Sequence, residues 1–298
     1  MLIISIAWKN VWRNRKRSLI VITAVLLGTA AGVFTSGLMV GWVNQRTHSL
    51  VYTETGHLKI HHPDFLKNEE IGLLVPQASE LSAFLAHQPA IKASSERLKC
   101  LVMAATSRGT TGLTLHGVEP EREKAVSDLH TRLLPTTGSY LDAGTTGSIL
   151  ISDRTAELLK VKTYVLTQEK RGQLNEKGVP TSVTDKLAEL DNGRFQTEKR
   201  YQRALSERLT PEEIKHHGPA LTAEAVQYRL RSKIICTLNG TDGNMVSQSF
   251  RVGGIYKTSN AVFDLTTAYV LKSDLAHLTG LSPNDCHEIG LILEDEKA

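Results

Sequence analysis

Residues 18–44 read SLIVITAVLLGTAAGVFTSGLMVGWVN and contain no ionisable side chain. At about 1.5 Å per residue, a helix over 18–43 is roughly 39 Å long, more than the ~30 Å hydrocarbon core of a bilayer. Lys9, Arg13, Arg15, Lys16 and Arg17 precede it without an acid, and only Arg46 lies close behind. That asymmetry predicts a transmembrane helix over 18–43 with its N-terminus in the cytosol, those five cations acting as the topology anchor. Gly28 and Gly32, then Gly37 and Gly41, have the four-residue spacing that lets membrane helices pack closely. A secretory signal has an apolar stretch of about 7–15 residues ending at a small-residue cleavage site. This one is about twice that, with Thr29-Ala30-Ala31 in mid-span, so a retained anchor is expected. Residues 1–17 place Leu2, Ile3, Ile6, Trp8, Val11 and Trp12 apart from Lys9, Arg13 and Lys16, the pattern of a short amphipathic helix at the cytosolic membrane surface.

The whole chain has 298 residues, 35 basic against 31 acidic, for a net charge of +4. Without the five N-terminal cations the balance is 30 against 31, so the excess marks topology and gives no support for nucleic-acid binding. With 41% hydrophobic and 22% charged residues, a disordered or collagen-like chain is excluded.

After 44 there is no second long apolar run, and the remaining chain is expected outside the cytosol as an α+β domain. TGHLKIHHP (55–63) alternates as a strand, and 97–106 with 111–118 forms a hairpin about Ser107-Arg108-Gly109-Thr110. Further strands are predicted over 149–151, 233–238, 245–256, 267–271 and 288–293, the hairpin around Asn239-Gly240 and Asp242-Gly243 being the plainest. Helices are predicted over 79–87 (capped at Ser79 or a near neighbour), 119–134 (opened by Pro120), 153–159 (capped by Ser152) and 273–279 (capped by Ser273, stopped by Gly280). Residues 163–229 hold 11 basic and 10 acidic side chains and few large apolar residues at core spacing. They read as a charged surface insertion, partly helical, with a capping box at Thr210-Pro211-Glu212-Glu213 and a stop at Gly218-Pro219.

Catalytic signatures are scarce. His57, His61 and His62 lack acidic or cysteine ligands at motif spacing, and His216-His217 suits a helix end better than a metal. Asp264 is expected to be exposed or a cap. Asp142-Ala143-Gly144-Thr145-Thr146-Gly147 has no following lysine for phosphate, and GxxxxGK[ST], GxSxG and HExxH do not occur. Cys100, Cys236 and Cys286 allow one disulfide and a thiol, or three buried thiols. No catalytic, cofactor-binding or metal residue is predicted, and the chain does not read as an enzyme.

Several stretches stand out when taken in order: AWKNVWRNRKR (7–17), TGHLKIH (55–61), LHGVEPE (115–121), GSYL (138–141), ILISDRTAELLKVK (149–162), FRVGGIY (250–256) with Phe263-Asp264, and 287–293. Together they resemble the MacB/LolE/FtsX-type ABC transporter permeases, namely their first membrane helix and MacB-like periplasmic core domain. The resemblance implies domains of 1–17, 18–43, a periplasmic core of 44–162 plus 230–298, and the insertion 163–229. It further implies a bacterial inner-membrane permease with a partner ABC ATPase, a second permease subunit (the same or different), membrane lipid and a periplasmic or lipoprotein partner. Movement of the periplasmic domain would then serve export or lipoprotein release. The three C-terminal membrane helices of such permeases do not follow in this sequence, which predicts a fragment or a truncated product. The alternative is a single-pass anchored periplasmic binding or scaffold protein without an ATPase.

Overall fold

The apolar run forms one helix, Arg15–Ser49, which extends the predicted span at both ends. No Gly or Pro interrupts residues 42–55, so the helical run continues through a π-helical turn, Leu50–Thr55, until Gly56 stops it. This computed structural model describes Ile6, Trp8, Arg13 and residues 15–294. The amphipathic reading of 1–17, with Lys9, falls largely outside the described residues. Apolar side chains all round the helix are exposed, among them Ile20, Leu27 and Phe34. Such a surface needs an apolar medium or partner helices. Thr29 donates its hydroxyl to Val25 O at 2.9 Å, satisfying its only side-chain donor within the helix.

The rest of the chain is an α+β domain built on a mixed sheet. Its strands are β1 (Leu58–His61), β2 (Ile91–Ala105), β3 (Thr110–Val118), β4 (Leu133–Gly138), β5 (Ser148–Ser152), β6 (Lys162–Val165), β7 (Arg194–Phe195), β8 (Val226–Tyr228), β9 (Lys233–Asn239), β10 (Met245–Tyr256), β11 (Thr267–Leu271) and β12 (Glu288–Leu293). Among the described residues nine strands form the main sheet, in the order β1-β12-β2-β3-β11-β5-β10-β4, with β9 bridging β10 and β2. The last relation closes a ring. Neighbours β2, β3, β11, β5, β10 and β9 are hydrogen-bonded in turn, and Met103–Ala105 of β2 returns to Ile235–Thr237 of β9.

Period-two alternation sets which side chains the ring buries. On β2, Leu98, Cys100, Val102 and Ala104 are buried, while Leu101 and Met103 are 66% and 52% exposed. The buried set joins Leu115, Ile151, Ile234, Phe250 and Val270, so all six ring strands feed one core cluster. On the other face, Val118, Leu129, Leu150, Tyr256 and Tyr269 form a second. Each fully buried Leu or Ile contributes about 1.5–3 kcal/mol of transfer free energy.

The predicted strands occur, β2 beginning six residues earlier than expected, but several helix ends are corrected. The helix Ala78–Ala86 begins after Gln77, whose φ is +51°, and Ser79 lies inside it without capping. The helix from Pro120 stops at Val126, because Ser127 is extended and caps a separate 3-10 turn, Asp128–Arg132. Ser273 is not a cap, since the helix Lys272–Thr279 already starts at Lys272; Gly280, with φ +77°, ends it as expected. Ser152 caps Asp153–Leu158 by accepting from Thr155 N.

Residues 163–229 hold more core than their spacing predicted. A separate sheet, β7-β6-β8, supports a cluster of Tyr164, Leu174, Tyr201, Leu205 and Leu221. Tyr164 stacks on Tyr201 at 5.7 Å. The capping box at Thr210 and Glu213 is present, yet the helix Pro211–Ala225 runs through Gly218-Pro219. Proline removes one backbone donor there, but burial of Leu221 and Ala225 beyond it holds the last turns. His216 and His217 are therefore mid-helix.

Candidate functional site

The first domain residues after the long helix enter a dense polar cluster. Thr53, 1% exposed, donates to Asp128 Oδ1 at 2.7 Å, and Ser127 Oγ donates to Thr53 O at 3.0 Å. Asp128 is held in turn by Arg132 Nη2 at 2.6 Å and Nε at 3.1 Å. Both carboxylate oxygens of Glu54 accept from Asn260 Nδ2 at 3.0 Å, and Glu54 O accepts from Arg97 Nη1 at 3.4 Å. Gly56 (φ +79°) then turns the chain onto β1, where a Cβ would lie 2.9 Å from Leu291 O. Only glycine fits that approach.

Beneath these tethers lies Arg97, 1% exposed. Alternation puts Ser95, Arg97 and Lys99 on one face of β2, and antiparallel register sets Glu288 of β12 directly opposite Arg97. Arg97 grips Glu123 with Nη2 at 2.7 Å and Nε at 3.1 Å, and reaches Glu288 with Nη1 at 3.1 Å. Ser95 Oγ donates to Glu123 at 2.7 Å. Glu288 also takes Lys99 at 2.5 Å and Lys59 at 3.4 Å. Burial acts to lower the Arg97 pKa, but Glu123 and Glu288 more than reverse it, so the guanidinium stays charged. Burial would likewise raise Glu288, yet Lys99, Arg97 and Lys59 pull it down to about 2. On the opposite face of β2, Glu96 pairs with buried Lys272. These interlocked charges make a geometric clasp, since a buried ion pair is specific in geometry even where its net stabilisation is small.

A second feature is an open cleft of about 1260 Å³ between β4, Lys257 and the 163–229 segment. Lys162 Nζ meets Asp153 at 2.7 Å and lies 5.7 Å from the centre of the Tyr164 ring, and Tyr228 donates to Asp153 at 2.7 Å. Burial raises the Asp153 pKa, but the bonds from Lys162 and Tyr228 bring it below its ordinary value. Lys170 donates to Val226 O at 3.0 Å, and burial lowers its pKa. Glu198, Lys199 and Arg203 line the helical wall.

The sequence-predicted site residues lie elsewhere. Arg15, Lys16 and Arg17 open the long helix, Arg13 is described as helical, and Lys9 is outside the described residues. At 100° per residue, Gly28 and Gly32 share one face, and Gly37 and Gly41 the opposite one. A Cβ on any of the four would meet nothing within 4 Å. Asp264 is neither exposed nor a cap: it is 2% exposed, accepting from Thr258 Oγ1 at 2.8 Å, and burial raises its pKa. His57 Nδ1 accepts from Leu293 N at 3.0 Å, and among the described residues no group of three or more His, Cys, Asp or Glu is placed to hold a metal. Arg97, Glu123 and Glu288 escaped sequence reading, because a charge in an alternating strand, or in the first turn of a helix, reads as surface.

No protein-family model and no curated protein sequence matches the chain. Among solved structures, it is similar to the extracellular domain of the noncanonic ABC-type transporter YknZ from Gram-positive bacteria, at 14% identity and a TM-score of 0.40, covering 80% of this chain and 82% of that one. It is similar also to the periplasmic region of MacB from Actinobacillus actinomycetemcomitans, at 8% identity and a TM-score of 0.39, covering 80% and 73%.

Proposed function

We propose that this chain is the membrane subunit of an ABC transporter, with an extracytosolic domain moved by ATP hydrolysis in a partner ATPase. The observation that carries this reading is the helical run from Arg15 to Thr55, whose last turn supplies Thr53 and Glu54 to the domain's buried clasp. No Gly or Pro lies within residues 42–55, so the apolar run leads through continuous helix to the first domain tethers. A subunit driven from the membrane needs such continuity, whereas a merely anchored module does not. Under this reading Lys9, Arg13, Arg15, Lys16 and Arg17 keep the N-terminus in the cytosol of a bacterial inner membrane. Gly28/Gly32 and Gly37/Gly41 serve two helix neighbours, one of them in a second permease subunit. Residues 163–229 are an insertion whose cleft docks a periplasmic or lipoprotein partner, and the work done is export or lipoprotein release.

The test is affinity purification of the full-length protein from its native membrane, with ATPase activity measured on the eluate. Recovery of a Walker-motif ATPase whose turnover changes when Thr53 is replaced by Val supports the reading. Purification of the chain without any ATPase would leave the anchored, ATPase-free scaffold in its place.

A further inference from the structure

A smaller cleft of about 470 Å³ lies where the β2–β3 hairpin meets the helix Asp153–Leu158 and the start of β9. Its charged lining is Arg108, Lys160, Arg229 and Lys233, with no carboxylate. The domain as a whole is close to neutral, so four cations here are a local concentration. None of the four makes an ion pair among the described residues, whereas Lys162 in the larger cleft is paired with Asp153. Like charges crowded without counter-charge repel one another, and an anion is what relieves them.

Backbone geometry points the same way. Lys160 follows the helix Asp153–Leu158 with φ +56°, in the left-handed conformation that glycine adopts freely. A cationic side chain of the cleft thus stands where its own backbone is strained, as at sites that need a particular group. The wall is firm. Thr106 Oγ1 donates to Leu159 O at 2.7 Å and accepts from Gly109 N at 3.1 Å, and a Cβ at Gly109 would lie 2.3 Å from Leu158 O. The cleft falls within the usual range of small-ligand pockets, roughly 300–1,000 Å³, and Ser107 and Ser232 add hydroxyls to it.

We infer that this cleft binds a phosphate-bearing ligand of headgroup size through Arg108, Lys160, Arg229 and Lys233. Guanidinium forks match phosphate oxygens two at a time, and the ammonium groups add point charge. The inference goes beyond the transporter reading and does not depend on it. Phosphate of this kind comes either from a soluble phosphate compound or from a phospholipid headgroup.

The full-length protein in a neutral detergent is titrated calorimetrically with inorganic pyrophosphate and, separately, with short-chain phosphatidylglycerol below its micelle concentration. Arg108→Gln and Arg229→Gln should each weaken binding roughly tenfold, the loss of a charge-assisted hydrogen bond. Lys160→Gly is the decisive variant. It relieves the backbone, so the protein should melt no lower than wild type while binding weakens. Lys215→Gln, on the exposed face of another helix, should bind as wild type. Tighter binding of pyrophosphate assigns a soluble ligand, and tighter binding of phosphatidylglycerol assigns a headgroup. Absence of binding by both probes, or equal affinity in the three cleft variants and wild type, overturns the inference.

Discussion

Arg97 and Glu288 are 191 residues apart in sequence and directly opposite one another across the β2–β12 ladder, with Nη1 3.1 Å from Oε1. The same guanidinium holds Glu123 by two bonds and touches the carbonyl of Glu54. One side chain therefore ties together the end of the helical run, the helix Pro120–Val126 and the last strand. Arg97→Met leaves two carboxylates buried without their shared cation, which costs about 3–5 kcal/mol. Urea unfolding of the full chain, followed by circular dichroism, should show this loss. Arg97→Met combined with Glu123→Gln should recover part of it, and strict additivity of the two changes would contradict a shared buried contact.

Asn260 offers a cleaner probe of the tether. Its Oδ1 caps the helix Ala261–Thr266 by accepting from Val262 N and Phe263 N, while its Nδ2 serves Glu54. Asn260→Asp keeps the cap and turns the tether into a carboxylate facing a carboxylate. Amide hydrogen exchange over 51–55 should accelerate by roughly tenfold at neutral pH while β11 stays protected. Acceleration spread evenly over the domain would mean that Asn260 serves general stability instead.

Acid should weaken the clasp in a defined window. An unfolded glutamate titrates near 4.3, whereas Glu288 in the fold is held down to about 2. The unfolded chain then takes up the proton first as pH falls. The contribution, on the order of 3 kcal/mol, is complete above about pH 5 and lost as pH falls toward about 2. Melting temperatures of wild type and Glu288→Gln should converge across that interval. Parallel curves would remove Glu288 as the source.

The three cysteines should behave as buried thiols. Cys100, Cys236 and Cys286 are free and buried, and burial pushes each pKa up to about 12. Ellman's reagent should find three reactive thiols in urea and none in the native protein. A deficit of two thiols under denaturing, non-reducing conditions would reveal a disulfide instead.

Local chemistry explains what was legible in the sequence. Asn239-Gly240 and Asp242-Gly243 announced the β9–β10 hairpin, and Gly280 the end of its helix. Other features depend on partners distant in sequence. Ser79 has a capping side chain, but Gln77 starts the helix; Pro219 signals a stop that burial of Leu221 overrides. The clasp was hidden for the same reason. Arg97 declares its burial only once Glu123 and Glu288 are brought beside it, and no spacing rule links positions 97, 123 and 288. Similarly, Arg108, Lys160, Arg229 and Lys233 meet because hairpin tip, helix end and strand start converge in space.

The return of β2 to β9 has a mechanical consequence. An open sheet can shear or peel from a free margin, absorbing a pull as internal slippage. A closed circuit of six strands has no such margin, and several ladders must break together before it changes shape. A torque delivered at Thr53 and Glu54 would thus turn the circuit as one stiff body, arriving at the Ser107–Gly109 tip nearly undiminished. Bending is left to whatever hangs outside the circuit, foremost the strands β1 and β4 at the margins of the sheet.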